Sequence, residues 1–207
     1  MKSYMVNEVY RSKQGEGWRA GTDNVFLRFT GCNMQCRKEA GPLSPGGFDC
    51  DTEFASGVKY SLKEVIARVI EEDTLNDAEP CKWVIATGGE PGLQLDRELI
   101  DALHDNGYHI AIETNGTVEV PETIDYIVVS PKVAEHAIRQ KVAQEVRYVR
   151  GYGQALPKTV IESDHYFISP AFDGMTLDQR TLEWCQQLCK ETRWKVSVQE
   201  HKIVGLR

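Results

Sequence analysis

The sequence has no apolar run approaching the roughly 20 residues that a membrane helix needs. Met1 to Tyr10 lacks the apolar core of a secretory signal. The expectation is a cytoplasmic protein without membrane association. Positive charge is not in excess either. The 31 acidic residues against 24 basic ones give a formal net charge of -7, which argues against a whole-surface nucleic-acid binder. There is no internal repeat, no low-complexity tract and no linker, so residues 1-207 are expected to form one domain. At 207 residues the chain is also shorter than the about 250 of a complete eight-stranded α/β barrel. What is present is ordinary for a folded protein, with 41% hydrophobic and 27% charged residues. Six cysteines in a cytoplasmic chain make a disulfide framework an unlikely design.

Strand-like and helix-like segments alternate. Strands are predicted at Asn24 to Thr30, Trp83 to Ala86, Tyr108 to Ile112, Ile124 to Val129, Glu145 to Val149, Tyr166 to Ser169 and Trp194 to Val198. Helices are predicted over Leu62 to Glu72, Asp96 to Asn106 and Thr176 to Glu191. Ser61 and Glu64 form a capping box for the first, and Gly107 ends the second. This alternation predicts an α/β fold with a parallel sheet, open or curled into a partial, shortened (β/α) barrel. Residues 37-49 hold Gly41, Pro42, Pro45, Gly46 and Gly47, and read as an inserted loop.

Polar clusters follow six of the strands: Gly31-Cys32, Thr87-Gly88-Gly89-Glu90, Glu113-Thr114-Asn115-Gly116, Ser130-Pro131-Lys132, Ser169-Pro170 and Gln199-Glu200-His201-Lys202. In parallel α/β folds ligands bind at the carboxyl ends of strands. A basic run over His136 to Val160, with Arg139, Lys141, Arg147, Arg150 and Lys158, reads most simply as a solvated face. The sharper reading is attraction of an anionic ligand.

Cys32 and Cys36 are separated by three residues, and Cys50 follows after thirteen more. Thiolates suit iron–sulfur clusters, zinc or copper(I). A closed zinc site needs a fourth ligand, and none stands nearby in sequence. Three thiolates on a four-iron cluster would leave one iron open for chemistry. Cys185 and Cys189 repeat the spacing inside a predicted helix, where core packing explains them, as it explains Cys81.

Cys32-x3-Cys36 after one strand, with Thr87-Gly88-Gly89-Glu90-Pro91 after a later one, resembles the radical S-adenosylmethionine (SAM) enzymes. Further segments occur in order: Gln14-Gly15-Glu16-Gly17, Arg28 to Asn33, Cys50-Asp51-Thr52, Glu113 to Gly116, Ser130-Pro131-Lys132 and Gln199-x-His201-Lys202. Together they resemble the 7-carboxy-7-deazaguanine synthase family, radical SAM lyases of queuosine biosynthesis. The likeness spans the chain from about residue 7 onward.

The resemblance implies conversion of 6-carboxy-5,6,7,8-tetrahydropterin to 7-carboxy-7-deazaguanine and ammonia, through a 5′-deoxyadenosyl radical made from SAM. It implies a [4Fe-4S] cluster on Cys32, Cys36 and Cys50, and Mg2+ on Thr52. It implies a SAM site from Gly89, Glu90, Glu113, Asn115, Ser130, Pro131, Lys132 and Ser169. Substrate would be held by Gln14, Gly15, Glu16, Arg28, Thr87, His201 and Arg207, with Glu16, Arg28 and His201 nearest the chemistry. Arg28 can pair with a carboxylate in bidentate fashion, and Glu16 can accept the donors of a guanidine-like edge. A homodimer and a flavodoxin-type electron donor are also implied.

Singly, the motifs have plainer readings. Gln14 to Gly17 could be a turn, Arg28 could pair with a structural carboxylate, and His201 could be a surface histidine. The chain also departs from the family in three places. Thirteen residues, where the family has two, separate the second and third cysteines. Asp49, with Phe48 before it, stands where the family has an apolar residue that packs on the adenine. Ser169 to Gly174 lacks the family's Gln-Pro before Asp-Gly. Two other functions share parts of this pattern. A glycyl-radical-enzyme activase shares the cluster and Gly-Gly-Glu-Pro motifs, and a zinc-stabilised binding module would use the cysteines alone.

Overall fold

The computed structural model describes residues 2–37, 39, 49–50, 52–75 and 79–205. In chain order the elements are β1 (Ser3–Lys13), β2 (Asp23–Phe29), β3 (Val58–Ser61), α1 (Leu62–Asp73), β4 (Trp83–Gly88), α2 (Arg97–Asp105), β5 (His109–Thr114), β6 (Tyr126–Val129), β7 (Val142–Arg150), β8 (Glu162–Pro170), β9 (Phe172–Asp173), β10 (Thr176–Leu177), α3 (Gln179–Cys189), β11 (Lys195–Val196) and α4 (Glu200–Val204).

Nine strands form one sheet in the order β11-β8-β7-β6-β5-β4-β2-β1-β3. The pairs from β2 to β11 are all parallel, while β1 runs antiparallel to β2 and β3. The fold is therefore mixed α/β with a mostly parallel sheet. Among the described residues no ladder joins the outermost strands β3 and β11, so the sheet is not a closed barrel.

Period-2 alternation sorts the strand residues onto two faces. On one face Val25, Leu27, Phe29, Val84, Ile110, Ile112, Val129 and Ile168 meet Val65 and Val69 of α1, Leu99, Ile100 and Leu103 of α2, and Cys185 of α3. Each of the large aliphatic side chains in this layer contributes about 2 kcal/mol by leaving water. The other face holds a smaller group of Tyr10, Phe26, Ile85 and Ala111, with Trp83 and Tyr126 beside it and none of α1, α2 and α3. Its remaining positions carry charge, and they build the site below.

The caps form as predicted. Ser61 Oγ accepts the Glu64 N–H, and the Glu64 carboxylate accepts the Ser61 N–H at 2.7 Å. Gly107 follows α2 in the left-handed region, with φ +83°. Several elements differ from prediction, among them the short β3, β9 and α4, for which no element is predicted. The sequence pattern misses β1, because its alternation breaks at a bulge between Val6 and Glu8. The third helix starts at Gln179, because the Asp178 side chain accepts the Thr181 N–H and caps it there, leaving Thr176–Leu177 to a hairpin.

Candidate active site

Because β2, β4, β5, β6, β8 and β11 are parallel, their carboxyl ends lie along one edge of the sheet, and the polar clusters that follow them are neighbours. The turns after β2 and β4 are in direct contact. Gly89 N–H donates to Phe29 O at 3.2 Å and Glu90 N–H to Gly31 O at 2.9 Å. A Cβ on Gly89 would stand 2.0 Å from Gly31 O and 2.8 Å from Cys32 Cβ, so only glycine lets this turn close on the first cysteine.

Glu90 is buried, and its carboxylate faces the protein. It accepts the Gly92 N–H, the Thr114 hydroxyl and the Asn115 N–H at 2.7 to 2.9 Å, tying the β4 turn to the β5 turn. Burial still raises this carboxyl above its usual range, since these three bonds only partly offset desolvation. Asn115 Nδ2 in turn donates to Asn33 Oδ1 at 3.0 Å, beside Cys32. Ser130 N–H donates to Thr114 O, and Lys132 Nζ donates to Ser130 Oγ at 2.9 Å. Gly89, Glu90, Asn115, Ser130 and Lys132 thus form one connected edge, with Pro131 buried beneath it.

The cysteine loop returns on itself. Cys50 N–H donates to Cys36 O at 3.1 Å, so the two ends of the thirteen-residue insertion meet. The exit is pinned where Gly31 N–H donates to Phe54 O, and where the Glu53 carboxylate accepts the Ala55 and Ser56 N–H groups. Burial raises the Cys32 thiol. Met34 N–H offsets this in part, while the charges of Glu90, Cys36 and Cys50 add to it. Cys32 and Cys36 are half-buried, Cys50 is exposed, and Thr52 O lies 3.7 Å from Cys50 Sγ. Among the described residues, no three His, Cys, Asp or Glu side chains converge on a single metal ion. Phe48 and most of the 37-49 loop lie outside the described residues, as does Arg207.

The segment after β1 and the C-terminal helix α4 meet over the face that α1, α2 and α3 leave uncovered. Glu200 N–H donates to Gly15 O at 3.0 Å, and a Cβ on Gly15 would stand 2.3 Å from His201 Nδ1. The motif near the N-terminus and the motif near the C-terminus are therefore packed together. Gly17 adopts φ +72°, its N–H donates to Ser197 Oγ, and a Cβ there would collide with the Glu145 carboxylate. Gln14 is buried and donates to Glu113 Oε1 at 2.8 Å.

Beneath this segment lies the feature that sequence reading misplaced. Arg147 is only 4% exposed, so it is not part of a solvated basic face. Its alternate position on β7 turns it, with Glu145, onto the face away from α1, α2 and α3. The guanidinium makes three ion pairs: Nη1 with Glu16, Nη2 with Glu113 at 3.2 Å and Nε with Glu145 at 3.1 Å. Glu145 also accepts the Trp18 N–H at 2.9 Å and the Tyr126 hydroxyl at 3.3 Å. Burial, reinforced by the Glu113 charge, pushes its carboxyl up to about 7. Burial likewise raises Glu113, against the pull of Gln14, Arg28 and Lys132. Three carboxylates held by one arginine keep that arginine charged, although burial lowers it to about 10. The readable signal was the strict alternation Glu145-Val146-Arg147-Tyr148, with charge on one face of a strand in the middle of a sheet.

Arg28 stands next to this group. Its Nε donates to Glu8 at 2.8 Å and its Nη2 to the Tyr10 hydroxyl at 2.9 Å, so a protein carboxylate does hold it. Arg28 is in register with Thr87 on β4, and its charge bears on Glu113. Ser169 is buried on β8, and its hydroxyl has no hydrogen-bond partner among the described residues. Cys185 is fully buried in the helix layer, and Cys81 and Cys189 pack against the same layer. Among the described residues no helix is long and apolar enough to cross a membrane.

No family model matches the chain. Individual proteins do, along nearly its whole length. It is 36% identical over 211 residues to the 7-carboxy-7-deazaguanine synthase of Caulobacter vibrioides, covering 99% of each chain. It is 34% identical to that of Bordetella pertussis, again over 99% of each chain, and 33% identical to that of Bacteroides thetaiotaomicron, over 98% of each. Its fold is similar to the crystal structure of QueE from Escherichia coli, with a TM-score of 0.68 over 96% of this chain and 95% of that one, at 22% identity.

Proposed function

This chain belongs to the 7-carboxy-7-deazaguanine synthase family, and from that premise we propose that its strand-end site performs the family reaction. That reaction converts 6-carboxy-5,6,7,8-tetrahydropterin to 7-carboxy-7-deazaguanine with loss of ammonia, within 7-deazapurine biosynthesis. The observation that carries the reading is the 36% identity running end to end in both chains. We read residues 1-207 as a single radical SAM domain whose open sheet is a partial, shortened barrel with an insertion at 37-49. The enzyme works in the cytoplasm as a homodimer supplied by a flavodoxin-type donor.

The residues present fit the implied cofactors. Cys32, Cys36 and Cys50 are soft thiol donors on one loop whose ends meet where Cys50 N–H donates to Cys36 O, and would sit on three irons of a [4Fe-4S] cluster rather than converge on one ion. The unpartnered Ser169 hydroxyl and the edge formed by Gly89, Asn115, Ser130 and Lys132 offer donors and acceptors to the amino-acid part of SAM. Glu90 serves that edge from behind, by fixing the β4 and β5 turns. Thr52 supplies a hard oxygen for Mg2+. When bound, the reduced cluster and SAM would supply the radical that starts the ring contraction.

The remaining work is positional. Arg28 takes the substrate carboxylate, a role open to it because Glu8 and Tyr10 engage only Nε and Nη2. Glu16 takes the amino-pyrimidine donor edge, with Gln14, Gly15, Thr87 and His201 shaping the pocket. The apolar floor of Tyr10, Phe26 and Ile85 underlies them.

The test is turnover of carboxytetrahydropterin by anaerobically reconstituted protein with SAM, reductant and Mg2+. The expected products are the deazapurine and 5′-deoxyadenosine. Formation of 5′-deoxyadenosine with no deazapurine would refute the substrate assignment. A colourless protein with stoichiometric zinc and no iron would refute radical chemistry altogether.

A further inference from the structure

We propose that Arg147 is a positioning residue for substrate recognition, setting the place of the Glu16 carboxylate while holding Glu113 and Glu145 on its other two edges. The inference rests on the proposed pterin reaction, and it assigns work to Arg147, to which that reaction gives none.

Three observations support it. First, the arginine is buried on the same sheet face as Arg28 and the apolar floor, directly under the Gln14 to Gly17 segment. Second, all three sides of its planar fork are engaged by carboxylates from three separate segments, namely the loop after β1, the end of β5 and β7 itself. A guanidinium can fix three acceptors in one plane, and an ammonium cannot. Third, the two front carboxylates depend on it unequally. Glu113 is also held by Gln14 at 2.8 Å, whereas among the described residues the Glu16 carboxylate is held by Arg147. Loss of Arg147 therefore frees Glu16 first. Glu16 and Glu113 are bound by the two terminal nitrogens of one guanidinium, so the group facing the pterin and the group facing SAM are held in fixed relation.

The chemistry this selects is specific. A carboxylate fixed at Glu16 accepts two neighbouring N–H donors, as the amino-pyrimidine edge of a pterin presents, while Arg28 takes an anion on the far side. Ligands with only one of these features lose half of the recognition.

The experiment compares wild-type, Arg147→Lys, Glu16→Gln and the double variant as reconstituted holoenzymes. Binding of the oxidised analogue pterin-6-carboxylate, followed by its fluorescence, is measured beside KM for carboxytetrahydropterin and for SAM. Arg147→Lys keeps the charge, so circular dichroism and the melting curve report whether it has folded. The expected result is a loss of pterin affinity of about tenfold, the scale of one displaced charge-assisted hydrogen bond. The SAM KM should stay within about threefold. 5′-Deoxyadenosine should form in excess over deazapurine. In the Glu16→Gln background the lysine substitution should add less than about twofold, because both changes act through one carboxylate.

A folded Arg147→Lys with unchanged pterin affinity would overturn the inference, leaving Arg147 a charge neutraliser. So would an effect equally large with and without Glu16. Wild-type protein that neither binds nor converts the pterin would instead overturn the proposed reaction, an outcome separable from either of these.

Discussion

At the residue scale, the site is dominated by charge in a place where water is scarce. Arg147 serves three carboxylates, so it cannot fully compensate any one, and Glu145 is the deepest of them at 1% exposure. Its carboxyl is pushed up to about 7 from an ordinary 4.5. The folded state then holds a proton that the unfolded state has released, so stability falls as pH rises from about 4.5 to about 7. Glu145→Gln removes this titration. Its unfolding free energy relative to wild type should climb between pH 5 and pH 8, by at most about 3 kcal/mol. Urea unfolding across that range measures it, and a flat difference would mean that Glu145 is ionised throughout. The sequence displayed this residue pair without revealing its role. Cys32, Gly89 and Arg28 belong to motifs with fixed spacing and could be found as motifs. Glu145 and Arg147 belong to none, and they become neighbours of Glu16 only once the loop after β1 crosses the sheet.

At the element scale, parallel strands made the site legible and irregular elements did not. Six polar clusters after six predicted strands required only that the strands be parallel for all six to share an edge. By contrast β1, the longest described strand, was hidden because a bulge broke its alternation. The cysteine loop is the instructive case. Two residues between the second and third cysteines would let the carbonyl of the first accept the N–H of the fourth position, the hydrogen bond of a β-turn. Here Cys36 O accepts Cys50 N–H across thirteen residues. The same closing bond is kept, and the insertion is an excursion from it. Deleting residues 38–48 leaves Cys36-Arg37-Asp49-Cys50 and restores the turn spacing. The shortened protein should still reconstitute its cluster, with iron content unchanged, and should melt no lower than wild type. Closing a shorter loop favours it by on the order of 1 kcal/mol. Loss of iron in a folded deletion variant would show that the insertion itself supports the cluster.

At the scale of the whole molecule, the sheet separates two kinds of cysteine that share one sequence spacing. Cys32-x3-Cys36 and Cys185-x3-Cys189 are indistinguishable as local patterns. Their surroundings differ because the architecture has a helix-covered face and a strand-end edge. Cys185 is on α3, fully buried among Val, Ile and Leu side chains, with Arg150 O 3.6 Å from its sulfur. Burial pushes its thiol, and that of Cys189, up to about 11, which keeps both protonated and inert. Cys32, Cys36 and Cys50 follow the end of β2, beside the β4 turn and open to a ligand. Substituting one cysteine from each set should therefore separate stability from chemistry. Cys36→Ala should melt within about 1 kcal/mol of the cluster-free wild type, yet lose iron and all SAM cleavage. Cys185→Ala should keep iron content and SAM cleavage per folded molecule, and should lose about 1 kcal/mol of stability for the sulfur removed from a packed layer. Iron and sulfide analysis beside thermal unfolding measures both. If Cys185→Ala lost the cluster while remaining folded, the assignment of one cysteine set to the helix-covered face and the other to the strand-end edge would fail, and with it the placement of the site at the strand ends.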